Sequence, residues 1–242
     1  LLWQGRQVRG RILRMPEPEG TREGIAGSGP ALSVLILGDS AAAGVGAATQ
    51  EQALSGRLLA SLSGQRTVHW RLIATTGWTT ADAIAALDGL QGQHFDAVVL
   101  SAGVNDVTTE TGIGRWLDLY RRLIERLKAD HGARVLIVNQ MPPMGRFPAL
   151  PQPLRWYLGR QARAHDRALG DLVRGIPGCA RPAMDFRRYD ANAGAEDGFH
   201  PGPEIYADWA AEAAAIILDR LPEAEVGVSV EPDPGLSPSS SA

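Results

Sequence analysis

The sequence predicts an α/β fold in which a parallel β-sheet is covered by helices on both faces. Short, mostly apolar runs alternate along the chain with longer segments whose apolar residues recur at helical spacing. A glycine or a polar residue follows each apolar run, as expected where a buried strand ends in a turn. Strands that alternate with helices pair in parallel, because each helix returns the chain to the same end of the sheet.

Five short segments predict strands, because strands buried on both faces of a parallel sheet are apolar over most of their length. In chain order they are 34–37 (VLIL), 68–74 (VHWRLIA), 95–100 (FDAVVL), 135–138 (VLIV) and a short one near 180–184 (ARPAM). Ligands bind outside the carboxyl ends of such strands, so the residues that follow each strand are the candidates for chemistry.

Five longer segments predict helices, because their apolar residues fall on one helical face. In chain order they are 47–62, 80–90, 113–129, 154–173 and 203–221. Gly64 follows the first helix, Thr79 or Thr80 is a suitable N-cap for the second, and Pro203 suits the first turn of the last.

These elements predict one globular domain over residues 31–221, flanked by two segments of different composition. Residues 1–30 are predicted to form an N-terminal arm or linker, because residues 15–30 are rich in proline, glycine and charge. Residues 222–242 end in PDPGLSPSSSA and are predicted to form a flexible tail. The oligomeric state cannot be predicted from these patterns.

Composition excludes several classes of protein. The formal net charge is -3, whereas nucleic-acid-binding domains typically carry an excess of basic residues, so we expect no nucleic-acid partner. The single cysteine, Cys179, excludes an intramolecular disulfide and a cysteine-based metal site. No stretch approaches the ~18 to 20 consecutive apolar residues that span a bilayer.

The beginning of the sequence has two interpretations. Leu1, Leu2 and Trp3 precede four arginines between positions 6 and 14, which is consistent with a solvated arm. The same pattern is consistent with the end of a removed signal or anchor segment, which would place the chain near a membrane. Basic residues after an anchor favour the cytoplasmic side, so a cytoplasmic or membrane-associated location is favoured over secretion.

The stretch SVLILGDSAAAGVG, residues 33–46, raises the question of what Ser40 does at the end of a strand. A phosphate-binding loop is disfavoured, because the chain contains no Gly-Lys pair and Thr49 stands where a dinucleotide-binding motif needs its third glycine. The nucleophile elbow of the α/β-hydrolases needs glycine two residues after the serine, where this chain has Ala42. A capping serine in a tight turn and a nucleophile of another fold remain open.

A nucleophilic serine needs a base and an acid that orients the base. Of the five histidines, His200 is the best candidate, because it lies in a glycine-containing loop just before the last predicted helix. Asp197 precedes it by three residues, a spacing at which a carboxylate can reach the imidazole within one turn. The alternative for this D-x-x-H loop is a simple Asx-turn.

Two further residues at strand ends could stabilise developing negative charge. Gly77 follows the second predicted strand, where its N–H can be approached closely, and Asn105 follows the third with a neutral amide donor. Each is also an ordinary turn residue.

The combination of these blocks resembles the SGNH or GDSL-type hydrolases, a family of esterases, thioesterases and lysophospholipase-like enzymes. The blocks are Gly38-Asp39-Ser40, Gly77, Gly103-Val-Asn105-Asp106 and Asp197-Gly-Phe-His200, in that order, and the resemblance covers about residues 33–221. Ala41 replaces the leucine that usually follows the serine. We expect this departure to affect local packing more than chemistry.

The resemblance implies a three-layer α/β/α, flavodoxin-like fold with a five-stranded parallel sheet. It implies that Ser40 is the nucleophile, His200 the general base and then acid, and Asp197 the residue that orients His200. The N–H groups of Ser40 and Gly77 and the amide of Asn105 are the implied oxyanion hole. No metal and no organic cofactor are expected, and the nearby acids Asp39 and Asp106 are interpreted as scaffold residues.

The segment 140–158 contains five prolines and follows the fourth predicted strand. We interpret it as a wall or lid of the substrate pocket, with Met144, Phe147 and Leu150 as pocket residues; the alternative is a proline-stiffened loop that packs on the core. Trp78, directly after Gly77, is a further candidate for the pocket.

The function that we expect is hydrolysis of small-molecule short- to medium-chain carboxylic esters through an acyl-enzyme. A thioesterase, a lysophospholipase or a carbohydrate O-deacetylase could use the same site. A non-catalytic acyl- or glycan-binding module is disfavoured, because the serine, histidine and aspartate are all present.

Overall fold

The computed structural model describes residue 4, residues 15–189 and residues 193–222. Residues 1–14, interpreted from the sequence as an arm or as the end of an anchor, lie outside these ranges apart from residue 4. The predicted tail lies outside them from residue 223 onward.

The sheet has six strands in the order β1-β3-β2-β4-β5-β6. The strands are β1 (Glu23–Ala26), β2 (Ala31–Gly38), β3 (Thr67–Ala74), β4 (Ala97–Ser101), β5 (Val135–Val138) and β6 (Cys179–Ala180). All pairs from β3 to β6 are parallel, and β1 pairs antiparallel with β3 at the edge. The implied five-stranded parallel sheet is therefore present, and β1 adds a sixth strand from the segment predicted as an arm.

Seven α-helices are described, and they cover both faces of the sheet. They are α1 (Ser40–Ala43), α2 (Leu54–Leu62), α3 (Thr80–Ala86), α4 (Val104–Thr108), α5 (Ile113–Ala129), α6 (Leu154–Arg174) and α7 (Pro203–Arg220). Short 3₁₀ turns lie at Leu87–Leu90, Met144–Arg146 and Phe186–Arg188. Within the described ranges, none of the helices has the length and apolarity needed to cross a membrane.

Two hydrophobic cores sandwich the sheet, because successive side chains of each strand point to opposite faces. In β2, Leu35 and Leu37 pack with α3, α5 and α6, whereas Val34 and Ile36 pack with α2 and α7. Trp116 and Tyr120 of α5 are fully buried in the first core. This arrangement confirms the predicted three-layer α/β/α fold.

The course of the chain through the sheet determines where a ligand can bind. From β2 the chain passes to β3 on one side and then to β4 on the other side, with α2 and α3 on opposite faces. A crevice forms outside the carboxyl ends of the strands at such a reversal. The residues that follow β2, beginning with Asp39 and Ser40, lie at this point.

Four helices differ from the sequence prediction. The helix predicted from residue 47 begins at Leu54, because residues 44–53 form turns in which the buried Gln50 side chain bonds the carbonyl oxygens of Pro18 and Ala43. The helix predicted over 80–90 changes to a 3₁₀ turn at Leu87. The short helices α1 and α4 are too brief to show a periodic pattern.

Thr79 is the N-cap of α3, one of the two positions predicted. Its side chain accepts a hydrogen bond from the Asp82 N–H, and the Asp82 carboxylate accepts one from the Thr79 N–H in return. This reciprocal capping box fixes the beginning of the helix that follows the second strand end.

Gly38 is required by the close packing of β2 against the end of β4. A Cβ built on Gly38 would lie 2.0 Å from the Ser101 carbonyl oxygen, which belongs to the backbone and cannot move aside cheaply. We predict that Gly38→Ala lowers the free energy of unfolding by about 1 to 3 kcal/mol, measured by urea denaturation. The matched control is Gly64→Ala, because an added Cβ there meets nothing within 4 Å. Equal effects of the two substitutions would contradict this account.

Candidate active site

Ser40 is presented by a tight connection between β2 and α1. The Asp39 N–H donates to the Ser101 carbonyl oxygen at 2.9 Å, which ties the connection to the end of β4. The Asp39 Oδ1 accepts hydrogen bonds from the Ala41 N–H and the Ser101 hydroxyl, both at 3.1 Å. Because Ser40 is the first residue of α1, its own N–H has no acceptor within the helix.

A chain of hydrogen bonds connects Ser40 to Asp197 through His200. The Ser40 Oγ lies 2.9 Å from His200 Nε2, and His200 Nδ1 lies 2.5 Å from Asp197 Oδ2. When the Nδ1–H group donates its hydrogen bond to Asp197, Nε2 carries the lone pair that can accept the Ser40 hydroxyl hydrogen. The geometry is that of a nucleophile, a base and an orienting acid.

Asp197 is well suited to hold both its own loop and the imidazole. Its Oδ1 accepts from the backbone N–H groups of Phe199 at 2.9 Å and His200 at 3.0 Å. Burial by itself would raise the pKa of this carboxyl, but the hydrogen bonds from the His200 side chain and from the two N–H groups outweigh it, so the pKa lies below its usual value. Asp197 is therefore a stable anion beside His200 at neutral pH.

The loop that carries His200 is closed by its own backbone. The Ala195 N–H donates to the His200 carbonyl oxygen and the Gly198 N–H to the Ala195 carbonyl oxygen, each at 2.9 Å. Gly194 and Pro201 form an isolated antiparallel bridge beside these bonds. The loop therefore presents His200 from a fixed backbone.

Gly46 lets the nucleophile segment approach the histidine loop. Its φ is +102°, and a Cβ there would lie 2.2 Å from the Pro201 carbonyl oxygen and 2.9 Å from the Ala195 Cβ. The Tyr206 hydroxyl of α7 donates to the Val45 carbonyl oxygen at 2.7 Å and holds the two segments together. The absence of a side chain at Gly46 thus allows the close approach of the segments that carry Ser40 and His200.

The candidate oxyanion donors lie at the ends of three adjacent strands. Gly77 belongs to an exposed turn, residues 75–78, which we call the oxyanion turn; the Trp78 N–H closes it onto the Thr75 carbonyl oxygen at 3.2 Å. The φ of Gly77 is +92°, as the third position of a type II turn requires. Within the described part of the chain, the Gly77 N–H has no acceptor.

Asn105 is linked to the same turn. One hydrogen of its side-chain amide is donated to the Trp78 carbonyl oxygen at 2.8 Å. An amide nitrogen carries two hydrogens, so a second donor remains for a substrate. Asn105, after β4, is therefore joined directly to the turn that follows β3.

Asp106 has a supporting position behind the site. Its buried carboxylate accepts from the N–H and the hydroxyl of Thr80 at 2.9 and 3.0 Å, and the Trp116 indole donates to the same hydroxyl at 3.0 Å. Burial raises the pKa of Asp106, and the bonds from Thr80 oppose this only in part. Asp106 joins α4 to α3 and does not contact His200 in any hydrogen bond of the described residues.

A cavity of about 370 Å³ opens beside Ser40 and His200. Its walls are mainly apolar and include Ala41, Val104, Pro142, Pro143, Phe147, Pro148, Met184, Phe186, Tyr189, Phe199, Ile205 and Trp209. The polar or charged lining residues are Asp39, Ser40, Ser101, Asn139, Arg146 and His200. Such a pocket, apolar with a few polar groups at one end, is typical of small-molecule sites.

The pocket residues predicted from the sequence are placed differently. Phe147 lines the cavity and packs edge-on against Phe199, with ring centroids 4.9 Å apart. Met144 and Leu150 are buried in the core behind the wall, and Trp78 packs on the same core without lining the cavity. The prediction that Met144, Leu150 and Trp78 line the pocket is therefore corrected, because an apolar residue of a loop or a turn can pack on the core as readily as against a ligand.

Several lining residues were missed by the sequence analysis. Phe199 could have been found, because it directly precedes His200. The segment 184–189 carries no motif, and its position depends on Arg146, whose guanidinium donates to the carbonyl oxygens of Phe186 at 2.5 Å and Tyr189 at 2.9 Å. Among the described residues, no group of three or more histidine, cysteine or acidic side chains is arranged to hold a metal ion.

Comparison with known sequences identifies a family profile and a curated relative that match most of the chain. A profile of the GDSL-like lipase/acylhydrolase family matches residues 36–207. A GDSL-like esterase of Mycobacterium tuberculosis is 32% identical over 188 residues, which cover 72% of this chain and 58% of the relative. The chain therefore spans less than two thirds of that relative's length.

Solved structures share the fold. The lipase Lip_vut3 from a goat rumen metagenome has a TM-score of 0.61 at 17% identity, covering 76% of this chain and 97% of that one. The psychrotrophic esterase EstA from Pseudoalteromonas sp. has a TM-score of 0.57 at 19% identity, covering 77% and 98%. At these identities the likeness concerns the fold alone.

The buried carboxyl of Asp39 predicts a pH-dependent contribution to stability. Burial raises its pKa to about 6, although bonds from Ser101 and Ala41 act in the opposite direction. The ordinary pKa is about 3.9, so between pH ~4 and ~6 the folded state holds a proton that the unfolded state releases, and stability falls as pH rises. Asp39→Asn keeps an Oδ1 acceptor for both bonds and does not titrate.

We therefore predict that Asp39→Asn gains stability relative to the wild type as pH rises from 4 to 7, by up to about 2 to 3 kcal/mol. Urea unfolding across this pH range measures the difference. Asp219→Asn, at an exposed position of α7, is the control for removing a carboxyl that remains in water. A difference between Asp39→Asn and the wild type that does not change with pH would contradict the prediction.

Proposed function

Since the chain belongs to the GDSL-like lipase/acylhydrolase family, we propose that it is a serine esterase that hydrolyses short- to medium-chain carboxylic esters through an acyl-enzyme. The observation that carries this proposal is the continuous contact from Ser40 Oγ to His200 Nε2 and from His200 Nδ1 to Asp197. A serine used only as a helix cap would not need a histidine from a loop 160 residues away.

In the first half of the reaction, Ser40 Oγ attacks the ester carbonyl carbon and its proton passes to His200 Nε2. The carbonyl π electrons move to oxygen and give a tetrahedral oxyanion. When the carbonyl re-forms, the bond to the leaving alkoxide breaks, and His200 returns the proton to it as an alcohol. The Asp197 anion stabilises the imidazolium throughout and keeps the ring in position.

In the second half, water replaces the alcohol. His200 Nε2 takes a proton from the water as the oxygen attacks the acyl carbon, and a second oxyanion forms. Its collapse breaks the bond to Ser40 Oγ, which recovers its proton from His200 and releases the carboxylic acid. Because the same oxyanion position is used twice, the N–H groups of Ser40 and Gly77 and the Asn105 amide support both steps, and each such donor is typically worth ~10² to 10³ in kcat.

The size and the apolar walls of the cavity support a short or medium acyl chain as the substrate. Its volume of about 370 Å³ is near the lower end of the ~300 to 1,000 Å³ that is usual for ligand pockets. Phe147, Phe199 and the prolines of the 142–148 segment offer an apolar surface to hydrocarbon. A short or medium chain can be covered there, whereas a long chain would extend into water and gain little.

The test is a series of p-nitrophenyl esters from acetate to palmitate, with an acyl-CoA, a lysophospholipid and an acetylated sugar as further substrates. We predict that kcat/KM is highest for the butyrate to octanoate esters. Ser40→Ala should lower kcat by a factor on the order of 10⁴ or more with the fold intact, because the nucleophile is lost. Ser61→Ala, at an exposed serine of α2, is the matched control and should behave as the wild type.

The results distinguish the proposal from its alternatives. Turnover that survives in purified Ser40→Ala would contradict the mechanism. A preference of tenfold or more for the thioester, the lysophospholipid or the acetylated sugar would retain the mechanism and replace the proposed substrate class.

A further inference from the structure

We propose that Glu17 is a positioning residue for catalysis, because its carboxylate fixes the oxyanion turn and so directs the Gly77 N–H toward the substrate carbonyl oxygen. Glu17 lies in residues 15–22, which we call the arm segment. The inference deepens the proposed function and rests on it.

Glu17 forms hydrogen bonds with Thr76, the residue of the oxyanion turn that precedes Gly77. Its Oε1 accepts two hydrogen bonds from Thr76, one from the N–H at 2.7 Å and one from the hydroxyl at 2.8 Å. These bonds fix both the backbone and the side chain of Thr76. The peptide that joins Thr76 to Gly77 carries the proposed donor, so its orientation depends on Thr76.

The turn has few other attachments. Thr75, Thr76 and Gly77 are exposed, and a Cβ built on Gly77 would meet nothing within 4 Å. The Thr75 N–H donates to the Gly38 carbonyl oxygen at a long 3.3 Å, and Asn105 holds the far end at the Trp78 carbonyl oxygen. An exposed turn that contains glycine has much conformational freedom. The hydrogen bonds between Glu17 and Thr76 at its centre therefore have a large effect on the orientation of the Thr76–Gly77 peptide.

Glu17 itself is held in place by the arm segment. Arg22 pairs with its other carboxylate oxygen at 2.5 Å and donates to the Ala74 carbonyl oxygen at 2.7 Å. The Arg22 carbonyl oxygen accepts from the Leu72 N–H at 2.6 Å. Pro18 is buried, and its carbonyl oxygen accepts from the Gln50 amide at 3.1 Å. The arm segment is therefore fastened to β3 and to the turns that follow α1.

The charges in this contact are compatible with an oxyanion nearby. Partial burial would raise the pKa of Glu17, but the Thr76 bonds and Arg22 outweigh it, so the pKa lies below its usual value and the carboxylate is ionised at neutral pH. Its negative charge is compensated by Arg22, which limits repulsion of a developing oxyanion.

The arm segment lies before the residues that the family profile matches, which begin at residue 36. The proposed role of Glu17 therefore lies outside the part of the chain that the family profile matches. Of the acidic residues of the arm segment, Glu17 is the one that contacts the oxyanion turn in the described residues.

The experiment measures kcat and KM for p-nitrophenyl butyrate in the full chain. Glu17→Ala should lower kcat about tenfold, a fraction of the ~10² to 10³ lost with a whole oxyanion donor, and should change KM less than twofold. Glu17→Gln keeps an Oε1 acceptor for both Thr76 bonds and should keep kcat within about threefold of the wild type. Glu19→Ala is the matched control, an exposed glutamate of the same segment.

The outcomes are decisive in each direction. A kcat of Glu17→Ala equal to that of Glu19→Ala overturns the inference. The inference is also overturned if Glu17→Gln loses as much kcat as Glu17→Ala and its Tm falls by the same amount, because that result would indicate a structural role. If Glu17→Ala does not fold, Thr76→Val removes the hydroxyl bond alone; a kcat lowered about threefold supports the inference and an unchanged kcat overturns it. A wild type that hydrolyses no ester contradicts the proposed function itself.

Discussion

The hydrogen bond between Ser40 Oγ and His200 Nε2 joins residues that are 160 positions apart, and much of the structure around it makes that contact possible. Ser40 is carried to the edge of the sheet by β2, and His200 arrives from the loop before α7. Gly46 allows the two segments to touch, and the Tyr206 hydroxyl holds them together. Because both backbones are already held in place, little freedom is lost when substrate binds.

Three buried or partly buried carboxylates lie at the site, and they differ in pKa and in hydrogen-bond partners because their surroundings differ. Asp39 and Asp106 have raised pKa values because burial dominates, and they bond to neighbouring strands and helices. Asp197 has a lowered pKa because three hydrogen bonds outweigh its burial, and it alone of these three bonds the His200 imidazole. The carboxylate that bonds His200 and the two carboxylates that do not thus differ in their surroundings and are not interchangeable.

The parallel sheet and the residues at its carboxyl edge could be predicted from sequence, because apolar runs and strand-end residues are local signals. Of the residues predicted from the segment 140–158, Phe147 lines the cavity, whereas Met144 and Leu150 are buried behind it. Which side of an irregular loop faces a ligand depends on tertiary contacts, such as the bonds of Arg146 to the segment 186–189. The strand β1 has only four residues and an exposed, weakly patterned sequence, so its pairing could not be predicted.

The measurement that tests the central claim most directly is covalent labelling with diethyl p-nitrophenyl phosphate, followed by peptide mass mapping. The serine attacks phosphorus, p-nitrophenolate leaves, and a stable diethylphosphoryl serine remains. If Ser40 is the activated nucleophile, one p-nitrophenolate is released per chain and the adduct is found on Ser40 alone, and His200→Ala labels far more slowly. Labelling of another residue, or of Ser40 at an equal rate without His200, would contradict the account.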